Sequence, residues 1–340
     1  MRGAGLGPVG RAAADRWEPL GPSGDVVRRG MPVDPELAAF LKSGEEAQLP
    51  PLRALSAAEA RWTYPPLLPE RLPEVGTVLQ VTLPTDPPRP ARIYQPSKPA
   101  RNRPGLLWLF GGGFVLGNLD SGESTCRYLC EQGGITVVAL EYRLAPEFPF
   151  PAAVSDAAQA LSWLRGSASQ LGADPQRLVA AGYSSGASLA NAACLWALER
   201  GEPLPRALAL ICPPAGEPRS PEGDSYPSRE LFASGYGLSA EDMDWFGQQY
   251  LRDEADLADP YFSPMRSPHA GQLPRTLIYT AEYDPLRDEG ERYARFLQEA
   301  GVQVISRRYQ GAIHQFFVPE FHLGRQAHDD LLADLGSWLG

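Results

Sequence analysis

The first arrangement in this chain with chemistry in it is Gly182-Tyr183-Ser184-Ser185-Gly186. It follows an apolar run, Leu178-Val-Ala-Ala, and opens a small-residue run, Ala187-Ser-Leu-Ala-Asn-Ala-Ala. A strand that turns sharply into a helix strains the residue at the turn. Side chains two positions to either side would collide across it, and glycine at both places removes the collision. The helix that follows aims the positive end of its dipole at the turn. Gly and Ser are common, so G-x-S-x-G alone is a weak signal, and a plain loop at a helix start would also produce it. The strand before and the helix after favour a nucleophile at Ser184.

A serine hydroxyl needs a base, and the base needs an orienting acid. On such an elbow the acid and then the histidine follow the serine along the chain. The four histidines are His269, His314, His322 and His328. His314 closes a Gly-Ala-Ile-His loop directly after the last strand-like run, where a base belongs. His322 and His328 flank or lie on the final helical segment and read as surface residues, and His269 falls in a turn beside Pro268. The acid is expected at the carboxyl end of the strand-like Thr276 to Ala281. Asp284 is preferred there over Glu282, which is nearer the strand, and over Asp288, which reads as the cap of the next helix.

Acyl transfer also requires N–H groups aimed at a developing oxyanion. Phe110-Gly111-Gly112-Gly113-Phe114 follows the apolar run Leu106 to Leu109. Its glycines let the backbone pass close to a substrate with amides turned inward, and the amide of Ser185 is a second donor source.

Positioning these residues takes alternating strands and helices. Strands are expected at 78–82, 91–94, 106–110, 136–142, 178–183, 207–212, 276–281 and 302–309. Helices are expected at 153 to about 171, 185–199, 288–300 and about 325–339. Continuous apolar strands separated by helices mean a mostly parallel sheet buried on both faces. Residues 213–263 interrupt the alternation, turning helical around 239–250. A detour of that length is a lid or a small subdomain. Residues 31–75 are helical and proline-punctuated, opening with Asp34 as N-cap and Pro35 in the first turn. Residues 1–30 lack a continuous apolar stretch. They read as a disordered extension, or as upstream sequence from an early start codon, without function.

Length and composition set outer limits. The 340 residues carry a net charge of −10, so neither nucleic acid nor polybasic membrane docking is expected. No run reaches the length of a membrane span. Cys126, Cys130, Cys194 and Cys212 form no C-x-x-C pair. They are expected as buried free thiols in a cytoplasmic protein, with no metal site.

Together these residues resemble the hormone-sensitive-lipase family of carboxylesterases, the bacterial family IV esterases. The likeness runs from Met31 to the C-terminus. Tyr142-Arg-Leu-Ala-Pro-Glu-Phe-Pro-Phe-Pro-Ala-Ala153 is close to the family's signature between glycine loop and elbow. Asp284-Pro-Leu-Arg-Asp-Glu-Gly290 with Tyr293-Ala294 is similar to its acid segment. Asp259-Pro-Tyr-Phe-Ser-Pro264 is similar to its return from the cap.

The resemblance implies the α/β-hydrolase fold, with an eight-stranded, mostly parallel sheet over 76–212 and 264–340. A helical cap from 31–75 and 213–263 would cover the site. It implies an oxyanion hole of Gly112, Gly113 and Ser185, no cofactor, and hydrolysis of short- to medium-chain acyl esters. Amide, lactone or aryl-formamide hydrolysis on the same triad is the nearest alternative, and a catalytically impaired small-molecule-binding relative a more distant one. A homodimer through the last strand and helix is expected by fold-level analogy alone.

Two positions depart from the family pattern. Phe110 stands where a histidine is usual, and Tyr183 where an acidic residue is usual. The missing histidine would leave the glycine loop looser or re-packed. Neighbouring strands would end Phe110 and Tyr183 side by side, so an aromatic contact between them is expected to support the loop around Gly111.

Overall fold

The computed structural model describes residues 32–66, 68–98, 100–216 and 226–340. The expected extension at 1–30, and residues 217–225 of the insertion, lie outside the described residues. Among the described residues eight strands form one sheet in the order β1-β2-β4-β3-β5-β6-β7-β8. In chain order these are β1 (Thr77–Leu83), β2 (Arg89–Gln95), β3 (Arg103–Leu109), β4 (Thr136–Leu140), β5 (Ala173–Tyr183), β6 (Ala207–Ile211), β7 (Arg275–Tyr283) and β8 (Val304–Ile313). Strand β2 pairs antiparallel with both β1 and β4, and the remaining pairs are parallel.

The helices are α1 (Pro35–Glu46), α2 (Ala57–Thr63), α3 (Glu123–Gly133), α4 (Ala152–Ser167), α5 (Ser185–Glu199), α6 (Pro227–Leu231), α7 (Ala240–Tyr250), α8 (Arg287–Glu299) and α9 (His322–Leu339). Alternate residues of the central strands feed two cores. Leu107, Leu109, Leu208, Leu210 and Ile278 pack with α4, α5 and α8. Leu106, Trp108, Ala207, Ala209 and Leu277 pack with α3 and α9. A parallel strand buried on both faces has no polar side, which is why these strands read as unbroken apolar runs.

Local chemistry sets the helix starts. The Asp34 carboxylate accepts the Glu36 and Leu37 amides at 2.9 and 3.4 Å, with Pro35 following it in the first turn. Ser56 and Glu59 cap α2 reciprocally, and Ser239 and Asp242 do the same for α7. Arg61 on α2 then reaches the main body, donating to the carbonyls of Val115 and Ala145 and pairing with Glu147.

Three expectations need correction. Strand β8 does not stop at Tyr309 but runs to Ile313, so Gly311-Ala-Ile is strand rather than loop. Gly311 takes φ 73°, the register shifts between Ala281 and Tyr283, and pairing resumes at Tyr283 with Ile313. A bulge absorbs the glycine that reads as a strand end. Asp288 does not cap α8, because the helix starts one residue before it; its carboxylate accepts the Ser228 amide instead, at 2.8 Å.

His328 is fully buried rather than on the surface. Its ring stacks on Phe317 at 4.0 Å, and its nitrogens meet the Gly324 carbonyl at 2.7 Å and the Thr125 hydroxyl at 3.0 Å. Burial pushes its pKa down to about 4, from the ordinary 6.5. The unfolded chain takes up this proton as pH falls through 6.5, whereas the folded chain refuses it until about pH 4. The neutral form's contribution is therefore complete above pH 6.5 and is lost as pH falls toward 4, up to about 3 kcal/mol. Thermal unfolding followed from about pH 7.5 down to about pH 4.5 is expected to show a steeper acid loss for the natural chain than for His328→Gln. Parallel slopes would remove His328 from the account.

Candidate active site

The elbow forms where β5 runs into α5. Ser184 holds φ 53° and ψ −125°, a region that costs a side-chain-bearing residue on the order of 1–3 kcal/mol. Its amide donates to the Ile211 carbonyl at 2.8 Å. A Cβ on Gly186 would run into the carbonyls of Leu109 and Phe110, so no larger residue lets α5 approach β3 this closely.

Three sequence-distant side chains meet here. With the proton assigned to Nδ1, His314 donates to Asp284 Oδ2 at 2.7 Å, and Ser184 Oγ donates to His314 Nε2 at 2.9 Å. The other Asp284 oxygen accepts the Leu286 amide at 2.8 Å. Relative exposure falls from 9% at Ser184 through 4% at His314 to 0% at Asp284, so the hydroxyl is reachable and the carboxylate is sealed. His314 itself begins a short 3-10 turn immediately after β8. Glu282 points elsewhere and accepts the Gly311 amide at 2.7 Å. His269 starts a separate turn against Gln272, and His322 is exposed at the start of α9.

The glycine loop lies beside Ser184. Gly112 and Gly113 take φ 133° and 59°, and a Cβ on Gly113 would strike the Phe246 ring. The Gly112 carbonyl accepts the amides of Val115 and Leu116 at 3.1 and 2.8 Å. Among the described residues the N–H groups of Gly112, Gly113 and Ser185 meet no acceptor. Ser185 is the first residue of α5, where the helix dipole favours negative charge.

The expected Phe110–Tyr183 ring contact is absent. Pairing of β3 with β5 ends at Leu109 with Gly182. The side-to-side alternation lapses at Phe110, whereas Tyr183 stays paired with Ile211 of β6 and keeps it. Phe110 joins the core that contains Leu109, stacking on Tyr142 at 4.4 Å. Tyr183 packs with the opposite core, its ring 5.4 Å from the imidazole of His314. The loop is re-packed rather than loose, since the Tyr142 hydroxyl donates to the Phe110 carbonyl at 2.8 Å. Tyr183 does touch the loop, because its ring occupies the space a Gly111 side chain would need.

Cys212, the residue after β6, is the buried free thiol that was expected, but sequence reasoning did not place it beside Asp284 and His314. It adopts φ 47° and is buried, and burial, reinforced by the Asp284 charge, pushes its thiol pKa well up. Its one sequence signal was its place at the carboxyl end of the strand that proves to neighbour β5. The ligand atoms of Cys212, Asp284 and His314 lie within 4.8 Å of one another. Two donors on a tetrahedral zinc stand roughly 3.3 Å apart, given arms of about 2.0 Å. The 2.7 Å between Asp284 and His314 is the spacing of a hydrogen bond instead. Cys126, Cys130 and Cys194 are also buried free thiols, remote from Ser184 in α3 and α5.

A cavity of about 280 Å³ opens over Ser184, walled by Phe114, Phe246, Tyr250, Leu257 and Phe262, with the Arg229–Glu289 ion pair also in its lining. Met243, Phe246 and Tyr250 come from α7, within the 213–263 insertion. A larger depression of about 580 Å³ lies between Glu74, Tyr128 and Arg325. It contains none of the residues above, so volume alone does not mark the site.

Residues 106–318 match the model of a family described as having the α/β-hydrolase fold. An ethyl acetate hydrolase of Pseudomonas putida is 38% identical, over 84% of this chain and 92% of its own. An arylesterase of Saccharolobus solfataricus is 34% identical, over 84% of this chain and 92% of its own. Among solved structures, a hyperthermophilic esterase of Pyrobaculum calidifontis is similar with a TM-score of 0.82 at 34% identity, over 90% of this chain and 99% of that one.

Proposed function

This chain belongs to the hormone-sensitive-lipase type of α/β-hydrolase-fold carboxylesterases, and we propose that it hydrolyses short- to medium-chain acyl esters through Ser184, His314 and Asp284. It is a carboxylic ester hydrolase, and among the described residues no helix is long and apolar enough to cross a membrane. The observation that carries the proposal is the relay from Ser184 through His314 to Asp284, closed at 2.9 and 2.7 Å beneath an open cavity.

In this reading Ser184 Oγ attacks the ester carbonyl carbon while His314 Nε2 takes its proton. Asp284 holds the imidazole in the Nδ1–H tautomer and steadies its charge. The oxyanion is held by the amides of Gly112, Gly113 and Ser185. His314 then returns the proton to the leaving alcohol as the C–O bond breaks. Water, activated by the same imidazole, releases the acid and restores the Ser184 hydroxyl. Residues 31–75 and 213–263 form the cap, and α7 sets how deep a substrate can reach.

Cavity size supports a small substrate. About 280 Å³ is just below the roughly 300–1,000 Å³ usual for drug-sized ligands, and relatives are named for ethyl acetate and aryl esters. Hydrolysis of p-nitrophenyl acetate, butyrate, octanoate and palmitate is the test. The ratio kcat/KM is expected to hold from acetate through butyrate and octanoate and to fall by about 10² or more at palmitate. Equal rates on palmitate would overturn the short-chain reading, and no hydrolysis of any ester by folded protein would overturn the whole.

A further inference from the structure

The residue that precedes Ser184 touches both other parts of the proposed machinery. The Tyr183 hydroxyl donates to the main-chain carbonyl of His314 at 2.8 Å, across 131 positions of sequence. Its ring lies 5.4 Å from the imidazole, tilted by 33°, and also abuts Gly111 of the glycine loop. The same His314 carbonyl faces a second donor, the Cys212 thiol, at 3.9 Å, which also has the Asp284 carboxylate as an acceptor. Burial pushes the pKa of both groups well above the ordinary range, so both keep the proton they donate.

An imidazole that serves Asp284 on one side and Ser184 on the other depends on where its own backbone sits. Here that backbone is the junction between the end of β8 and a three-residue 3-10 turn. Strand register does not continue past Ile313, so the orientation of the His314 peptide must come from contacts outside the ladder. Misplacement by about 1 Å in such an arrangement costs on the order of 10² in rate.

We infer that Tyr183 is a positioning residue for the general base. Its hydroxyl, backed by the Cys212 thiol, fixes the main chain at His314, while its ring references that position to the glycine loop. The inference rests on the proposed roles of Ser184 and His314. It also gives the departure from the family's acidic residue a task, since a carboxylate at this position would face a carbonyl oxygen with no proton to donate.

Tyr183→Phe is the test, because it removes the hydroxyl and keeps the ring. On p-nitrophenyl acetate kcat is expected to fall about tenfold, with KM within about twofold of the natural enzyme. The low-field proton resonance of His314 Nδ1–H is expected to move or broaden, a change that loss of overall stability alone does not cause. Cys212→Ala alone is expected to have a smaller effect. The double variant is expected to lose more than the product of the single losses, because each donor partly covers for the other. A natural kcat and an unmoved resonance in Tyr183→Phe would overturn the inference, and strictly multiplicative losses would overturn the shared carbonyl.

Should Tyr183→Phe not fold, Cys212→Ser against Cys212→Ala decides, since only the serine variant keeps a donor, and equal losses count against the inference. Wild type and Ser184→Ala run alongside. An inactive wild type, or an active Ser184→Ala, means the underlying catalytic reading has failed, which neither variant result can imitate.

Discussion

Ser184→Ala is expected to lower kcat on p-nitrophenyl acetate by about 10⁵–10⁶-fold, the scale on which loss of a serine nucleophile acts when base and acid remain in place. The fold should survive the change. In the resting protein the hydroxyl bonds to His314 Nε2, and that nitrogen opens onto the cavity when the oxygen is gone. The melting temperature is therefore expected to move by no more than about 1 kcal/mol of stability would move it. The strained φ of 53° persists in either variant, so no relief of strain is gained. The comparison is informative because Ser185 and Ser188 line the same cavity. A purified Ser184→Ala protein that keeps a hundredth of the natural rate, roughly, would shift the nucleophile to one of them.

Asp284→Asn is expected to cost about 10⁴ in kcat, through a tautomer rather than through charge alone. The Asp284 oxygen that accepts the Leu286 amide, at 2.8 Å, must stay an oxygen. In the asparagine variant the amide nitrogen is thus left facing His314 Nδ1, which now has to accept. The imidazole proton moves to Nε2, and Ser184 loses the lone pair that would have taken its proton. Glu282 provides the contrast. Its carboxylate bonds the Gly311 amide at 2.7 Å, in the β8 bulge, and Glu282→Gln can still accept there. Less than about a tenfold loss is expected for that variant. Matched pH–rate profiles decide between them, and a larger loss at Glu282 than at Asp284 would mean the acid has been misassigned.

Short-range chemistry was legible in the linear chain. The N-cap at Asp34 and the start of α5 at Ser185 follow from side chains bonding or colliding with backbone a few residues away. The parallel sheet followed from strands with no polar side, and the candidates Ser184, Asp284 and His314 followed from where glycine turns and carboxyl ends of strands fall. Each of these signals lies within one element or at its end, so a local reading reaches it.

What escaped depends on partners far along the chain. His328 reads as a polar residue on an amphipathic helix, yet Thr125, 203 positions away, together with Phe317 makes it a core residue. Gly311 reads as a terminator until its neighbour strand β7 slips register and keeps the pairing going. Phe110 and Tyr183 lie at adjacent strand ends, but pairing stops one residue too early to hold them to a common face. Residue types and short spacings thus determined which groups were available for acyl-transfer chemistry and which elements would carry them. Only the tertiary structure decided that Tyr183 bonds the backbone of His314 while Phe110 turns to Tyr142. Phe110 lies beyond the last ladder bond of β3, where direction is set by packing against distant segments. The partner of a side chain still in the ladder, as Tyr183 is, is set by which distant segment lies across that face.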